Sequence, residues 1–147
     1  MNYMMNDTVF WVPDEWHEQT VHILSSEMPG RPGISLVAHT EIMEKKKDST
    51  AYKDMSLDRL QAELPGFTLL KEEVHMLYGK GWLLEHRWHS DVGLMHHFQA
   101  LACIDKETSF FKSLNKGYSL TMSMMESLYE PTHKKTFLAI AQSLLLK

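Results

Sequence analysis

Nine histidines are the first candidates for chemistry in this 147-residue chain, because imidazole binds metals and moves protons near neutral pH. Their spacing does not assemble a site. His96 and His97 are adjacent in a β-prone stretch, so they point to opposite faces. His86 and His89 are three apart in another such stretch, which separates them too. No His-x-x-x-His pair falls in a helix-prone stretch, and Cys103 is the single cysteine. A metalloenzyme would need histidines converging only in the fold, so the expectation is no metal and no cofactor. Cys103 shares strand parity with His97, but six residues of strand span roughly 20 Å, far beyond hydrogen-bond reach. Asp14, Glu15 and Glu18 flank Trp16 and His17 without a matching acid elsewhere, and read as surface charges around a buried tryptophan. Glycine-rich phosphate loops, nucleophile elbows and dinucleotide fingerprints are missing. The expectation is a binding protein with no catalytic residues.

The bulk properties narrow the class. A net charge of −4 leaves no basic footprint for nucleic acid, and Lys45 to Lys47 sit between Glu44 and Asp48 as a solvated loop. The length suits one domain over residues 1–147, burying roughly 70% of the unfolded chain's surface. One cysteine forms no internal disulfide, which fits a reducing compartment. The first residues, Met-Asn-Tyr-Met-Met-Asn-Asp, carry neither a basic nor an apolar signal region, and no run of 18 apolar residues occurs. A soluble cytoplasmic protein without a membrane span is the expectation. The 11 methionines suit core filling, and an excess also suits an adaptable apolar binding surface.

The elements that must position such a surface follow from periodicity. Thr8 to Val12, Thr20 to Leu24 and Ile34 to Thr40 read as strands, with Val21 and Ile23 on one side and His22 and Leu24 on the other. A helix covers Ala51 to Leu64, with Leu57, Leu60 and Leu64 on one face and Tyr52 extending it; Pro65-Gly66 stops it. Phe67 to Tyr78, Gly81 to His89 and Leu94 to Ile104 read as three meandering strands, linked at Gly79-Lys80-Gly81 and at Ser90 to Gly93. Tyr118 to Met122 adds a strand after an Asn115-Lys116-Gly117 turn. A last helix runs from Pro131 to Leu146 on Phe137, Ile140, Ala141 and Leu144. The sum is an α+β domain, an antiparallel sheet meander packed with about two helices.

The strand Leu94 to Ile104 is apolar on both parities. Leu94, His96, Phe98, Ala100, Ala102 and Ile104 form one face; Met95, His97, Gln99, Leu101 and Cys103 form the other. A strand apolar on both faces is covered on both. With the helices on one face, the second face needs more core, a second subunit or a ligand.

Five segments in order carry a resemblance: Val12-Pro13-Asp14-Glu15-Trp16, Gln19-Thr20-Val21-His22-Ile23, Leu64-Pro65-Gly66-Phe67, His86-Arg87-Trp88, and Gln99. Together, from about Val9 to the last helix, they resemble the Eag chaperones of bacterial type VI secretion, within the DcrB-like group. The resemblance implies a PsbP/Mog1-like fold, a homodimer and no cofactor. It also implies a client: the N-terminal transmembrane helices of a PAAR- or Rhs-containing effector, shielded until the effector is loaded on the secretion spike. The implied site is a concave sheet face. By motif position its apolar lining falls at Val21, Ile23, Val37, Leu64 and Met95, and its polar contact at Gln99. His97 stands where the groove would suit an apolar residue. The alternative function for the same face is a carrier of a small lipid or other apolar ligand.

Overall fold

The computed structural model describes residues 2–5, 8–11, 21–26, 33–43, 47–75, 80–106 and 114–143. A small hairpin of β1 (Asn2–Met5) and β2 (Thr8–Trp11) stands apart from the main sheet. That sheet contains β3 (Val21–Ser25), β4 (Ser35–Ile42), β5 (Thr68–His75), β6 (Gly81–Ser90), β7 (Gly93–Lys106) and β8 (Leu114–Met125), in the order β3-β4-β8-β7-β6-β5. Every neighbouring pair in it is antiparallel. The expected meander is β5 to β8. Between β4 and β5 the chain crosses the sheet through helix α1 (Ser49–Glu63), so β4 pairs with β8 rather than with β5. Helix α2 (Pro131–Gln142) follows β8 after a 3₁₀ turn, Glu126–Leu128.

Local chemistry sets the boundaries. Asp48 caps α1, its carboxylate accepting from the Ala51 N–H at 2.7 Å, so the helix begins two residues before the expected start. Gly66, at φ +65°, provides the left-handed exit that Pro65-Gly66 suggested. The Ser90-to-Gly93 turn holds as read: the Ser90 hydroxyl donates to the Gly93 carbonyl at 2.8 Å, and Gly93 has φ +129°. Glu130 and His133 form a capping box ahead of Pro131 in α2. The Asp14–Glu18 acids, Trp16, Lys45, Met28, the Gly79 link and Leu144 lie outside the described residues.

The fold corrects the sequence reading twice. The expected Asn115-Lys116-Gly117 turn lies inside β8, which is twelve residues long. Gly117 faces Cys103 across the ladder, and the Tyr52 ring of α1 rests on it; a Cβ there would lie 2.3 Å from the ring. Glycine marks a close approach here rather than a turn. Second, the helices do not share a face. The even residues of β7 meet α2: Phe98 stacks on Phe137 at 5.8 Å and joins a core with Leu83, Leu120, Met122 and Met124. The odd residues meet α1: Leu101, wholly buried, packs with Tyr52, Leu84 and Met43. Each helix therefore buries one apolar parity of the same strand. Tyr52, rather than the Leu57–Leu60–Leu64 stripe, anchors α1. Lys53 helps it dock, lying 4.0 Å over the Trp82 ring and pairing with Glu72 at 3.2 Å.

Candidate functional site

Helix α1 closes only part of its sheet face. The ladder registers place Ile23, Val37, Thr121, Gln99 and Leu84 in one cross-strand row. The next row on one side holds Val21, His39, Ser119 and Leu101; two rows the other way, Met95 lies between Trp88 and Met125. Alternation puts all these side chains on the α1 face. Leu84 and Leu101 are sealed beneath the helix, whereas Val21 is 54% and Ile23 68% exposed. Val37 and Met95 are half-buried between these extremes.

Five of the six expected site residues therefore share one surface: Val21, Ile23, Val37, Met95 and Gln99. Leu64 stands apart as the C-cap of α1, half-buried, its N–H bonded to the Leu60 carbonyl. Edge strand β3 also exposes Leu24, at 65%, on the opposite face, so the sheet's rim is apolar on both sides.

A polar seam crosses the middle of this surface, and sequence reasoning missed most of it. Trp88 Nε1 donates to His97 Nε2 at 2.8 Å. That nitrogen is then an acceptor, so the neutral ring carries its proton on Nδ1 and donates to the Ser123 hydroxyl oxygen at 2.7 Å. His86 Nε2 lies 3.2 Å from Gln99 Oε1, and Gln99 Nε2 donates to the Ser119 hydroxyl at 3.2 Å. The two imidazoles stack, 5.2 Å apart and 21° from parallel.

Burial keeps both rings neutral. It pushes His97 down to about 4, with repulsion from His86 and His96 adding to the effect. His86 is lowered for the same leading reason. A neutral, internally bonded seam presents little charge to an apolar partner. This explains how His97 can occupy a position where an apolar residue was expected. Gln99 is 9% exposed and engaged at both ends of its amide, so it is a braced group rather than a freely reaching one.

A signal for the seam was present in the sequence. A two-residue hairpin pairs residues symmetrically about itself, so the Asp91-Val92 turn sets His86 opposite His97 and Trp88 opposite Met95. The serines come from β8, whose register depends on tertiary pairing. Cys103 lies on the same face but at the far end under α1, where its thiol donates to Asn115 Oδ1 at 3.2 Å and burial raises its pKa. It has no part in the seam.

On the α2 face, His96 is sealed at 2% exposure. Its Nε2 lies 2.8 Å from Glu85 and its Nδ1 2.6 Å from Glu126, and its ring stacks on Tyr129 at 4.1 Å. This triplet ties the 3₁₀ turn to the sheet. Among the described residues, no group of three or more His, Cys, Asp or Glu could hold a metal ion.

Residues 8–143 match the protein family described as DcrB. Among solved structures, the chain is similar to PA94, a Pseudomonas aeruginosa protein of unknown function. The identity is 19% and the TM-score 0.70, covering 100% of this chain and 96% of that one. It is also similar to LpqN, a protein involved in cell envelope biogenesis of Mycobacterium tuberculosis. There the identity is 17% and the TM-score 0.57, covering 88% of this chain and 76% of the other. No curated protein sequence matches the chain. The likeness to a cell-envelope protein overturns the expected cytoplasmic location. One cysteine and the first few residues of a sequence do not fix a compartment. No helix among the described residues is long and apolar enough to cross a membrane.

Proposed function

We propose, from the premise that this chain belongs to the DcrB family, that it is a chaperone for apolar helices. In this reading it binds and shields the N-terminal transmembrane helices of a PAAR- or Rhs-type type VI secretion effector until the effector is loaded on the spike. The chain is not an enzyme: its family is non-catalytic. The family and the structural relatives are consistent with an adaptor or chaperone role. The finer assignments belong to the same reading: one DcrB-like domain over residues 1–147, a PsbP/Mog1-like fold and a homodimer.

One observation carries the proposal. Val21, Ile23, Val37 and Met95, from three different strands, lie on a single sheet face that α1 leaves open, around a seam whose side chains bond mainly to one another. A transmembrane helix satisfies its own backbone, so its carrier need cover only side chains. Each large apolar side chain covered contributes roughly 1.5–3 kcal/mol before the costs of association. The lipid-carrier alternative calls for an enclosed pocket. The cavity beneath α2, lined by Leu83, Phe98 and Phe137, is about 10 Å³ and lies on the other face, so it is not that pocket.

Co-expression with an effector N-terminal fragment, followed by size-exclusion chromatography with light scattering, tests the reading. A soluble complex of two chaperone chains with one fragment is expected, and Val21→Glu or Met95→Arg should abolish it while leaving the circular dichroism unchanged. If both variants keep the fragment soluble, the site is elsewhere.

A further inference from the structure

Strand β6 carries two tryptophans, Trp82 toward its start and Trp88 toward its end. Their even spacing sets both on the α1 face, yet they are held differently. Trp82 belongs to the helix: its Nε1 donates to the Thr50 hydroxyl of α1 at 3.2 Å, and Lys53 lies 4.0 Å over its ring. Trp88 belongs to the sheet: its Nε1 donates to His97 Nε2 at 2.8 Å, the ring centroids 6.4 Å apart and tilted by 31°. Trp82 therefore serves the docking of α1, whereas the hold on Trp88 comes from the neighbouring strand.

Trp88 and His97 are only half-buried, unlike the sealed His86. The neighbours of Trp88 along its cross-strand row are apolar. Met95 is directly opposite it on β7, and Met125 of β8 is opposite Met95. Both methionines are half-buried too. An indole has one polar atom, and here His97 takes it. What remains is carbon, beside two thioether side chains that adapt to the shape of what covers them. A tryptophan ring held in place is a strong anchor, because it buries a large area as one rigid unit. His97 supplies that hold and is itself fixed, by Ser123 at 2.7 Å and by stacking on His86 at 5.2 Å.

We propose that Trp88 is a client-contacting residue of the open face, and that His97 is the positioning residue that holds its ring there for an apolar helix; the inference rests on the helix-chaperone reading above. Trp88 extends the surface of Val21, Ile23, Val37 and Met95 to a fourth strand, β6. A helix that covers this indole owes nothing to its N–H, which is already paired. Without the His97 acceptor, the same helix would bury an unpaired donor. His97 thus supports affinity without touching the helix.

The test uses the full chain with fluorinated tryptophan and, as probe, a leucine–alanine helix of about 20 residues with lysine flanks. The fluorine resonances are assigned with Trp82→Phe and Trp88→Phe. Adding the helix should move the Trp88 resonance and leave Trp82 in place. The ¹⁵N–¹⁵N coupling across the Trp88–His97 hydrogen bond should persist in the complex. By calorimetry, His97→Gln, which keeps an acceptor for the indole, should bind the helix within about twofold of wild type. His97→Phe, which keeps a ring against His86 but accepts nothing, should bind it about tenfold more weakly. A Trp88 resonance that moves no more than that of Trp82 while the helix binds would overturn the contact and leave the chaperone reading intact. Loss of the coupling on binding, or equal affinities of the two His97 variants, would overturn the positioning role. The fluorine and coupling readouts are made on the wild-type side chains, so they decide even if His97→Phe misfolds. Failure of the wild-type chain to bind the helix would overturn both readings.

Discussion

His96 and His97 are neighbours in β7 with opposite surroundings. His96 faces α2, bracketed by Glu85 and Glu126 and covered by Tyr129. His97 faces the α1 side, bonded only to neutral groups, Trp88 and Ser123. His97 keeps its bonds only when neutral. The α2 face thus combines a dense apolar core with a His96 tie to two carboxylates, the arrangement of a face that has to stay shut. The α1 face combines an incomplete apolar cover with a discharged seam, which suits a surface that receives an apolar partner.

The comparison can be broken most severely on the α2 face. Phe137→Ala removes the ring that packs on Phe98 and should cost about 3–5 kcal/mol of stability, read from the urea midpoint. A loss below about 1 kcal/mol would show that this face is not the closed one.

A smaller effect comes from acidification. His97 is held down to about 4 in the fold, below an ordinary value near 6.5. Between those pH values the unfolded chain binds the proton and the native chain does not, so stability falls as pH falls. The part due to His97 is full above about pH 6.5 and gone near pH 4, about 3 kcal/mol at most. His86 adds in the same direction. His97→Gln should flatten the stability profile across that window, as measured by denaturation at closely spaced pH values. An unchanged slope would place the acid sensitivity elsewhere.

The smallest expected effect sharpens the contrast. Ile23→Glu lies on the exposed rim and should shift stability by no more than about 0.5 kcal/mol, yet abolish retention of an effector fragment in pull-down. A large loss of stability would mean that β3 is structural rather than receptive.

Much of this was legible in the sequence, for identifiable reasons. The two-residue period of a strand placed Val21 with Ile23 and Met95 with Gln99 before any ladder was known. The Ser90-to-Gly93 hairpin was readable because a two-residue turn leaves few registers. Gly117 misled because turn glycines and close-approach glycines look alike in sequence; only Tyr52 arriving from α1 tells them apart. The assignment of one helix to each face was hidden as well. It depends on the long β4-to-β5 crossover, and both parities of β7 are apolar enough to accept either helix. The seam was split between β6, β7 and β8, so no single segment carries its signature. Trp88 drew notice only as part of a resemblance motif, and His86 there and as a metal ligand set aside on its spacing.

The most direct test of the central claim is where a client touches. A photo-crosslinking amino acid placed at Ile23 on the open face, and separately at exposed Ala139 on α2, would be activated in the presence of an effector's N-terminal transmembrane fragment. The account predicts crosslinked product from position 23 and none from position 139. Crosslinking confined to position 139 would contradict it, moving the binding surface to the face that the structure shows as closed.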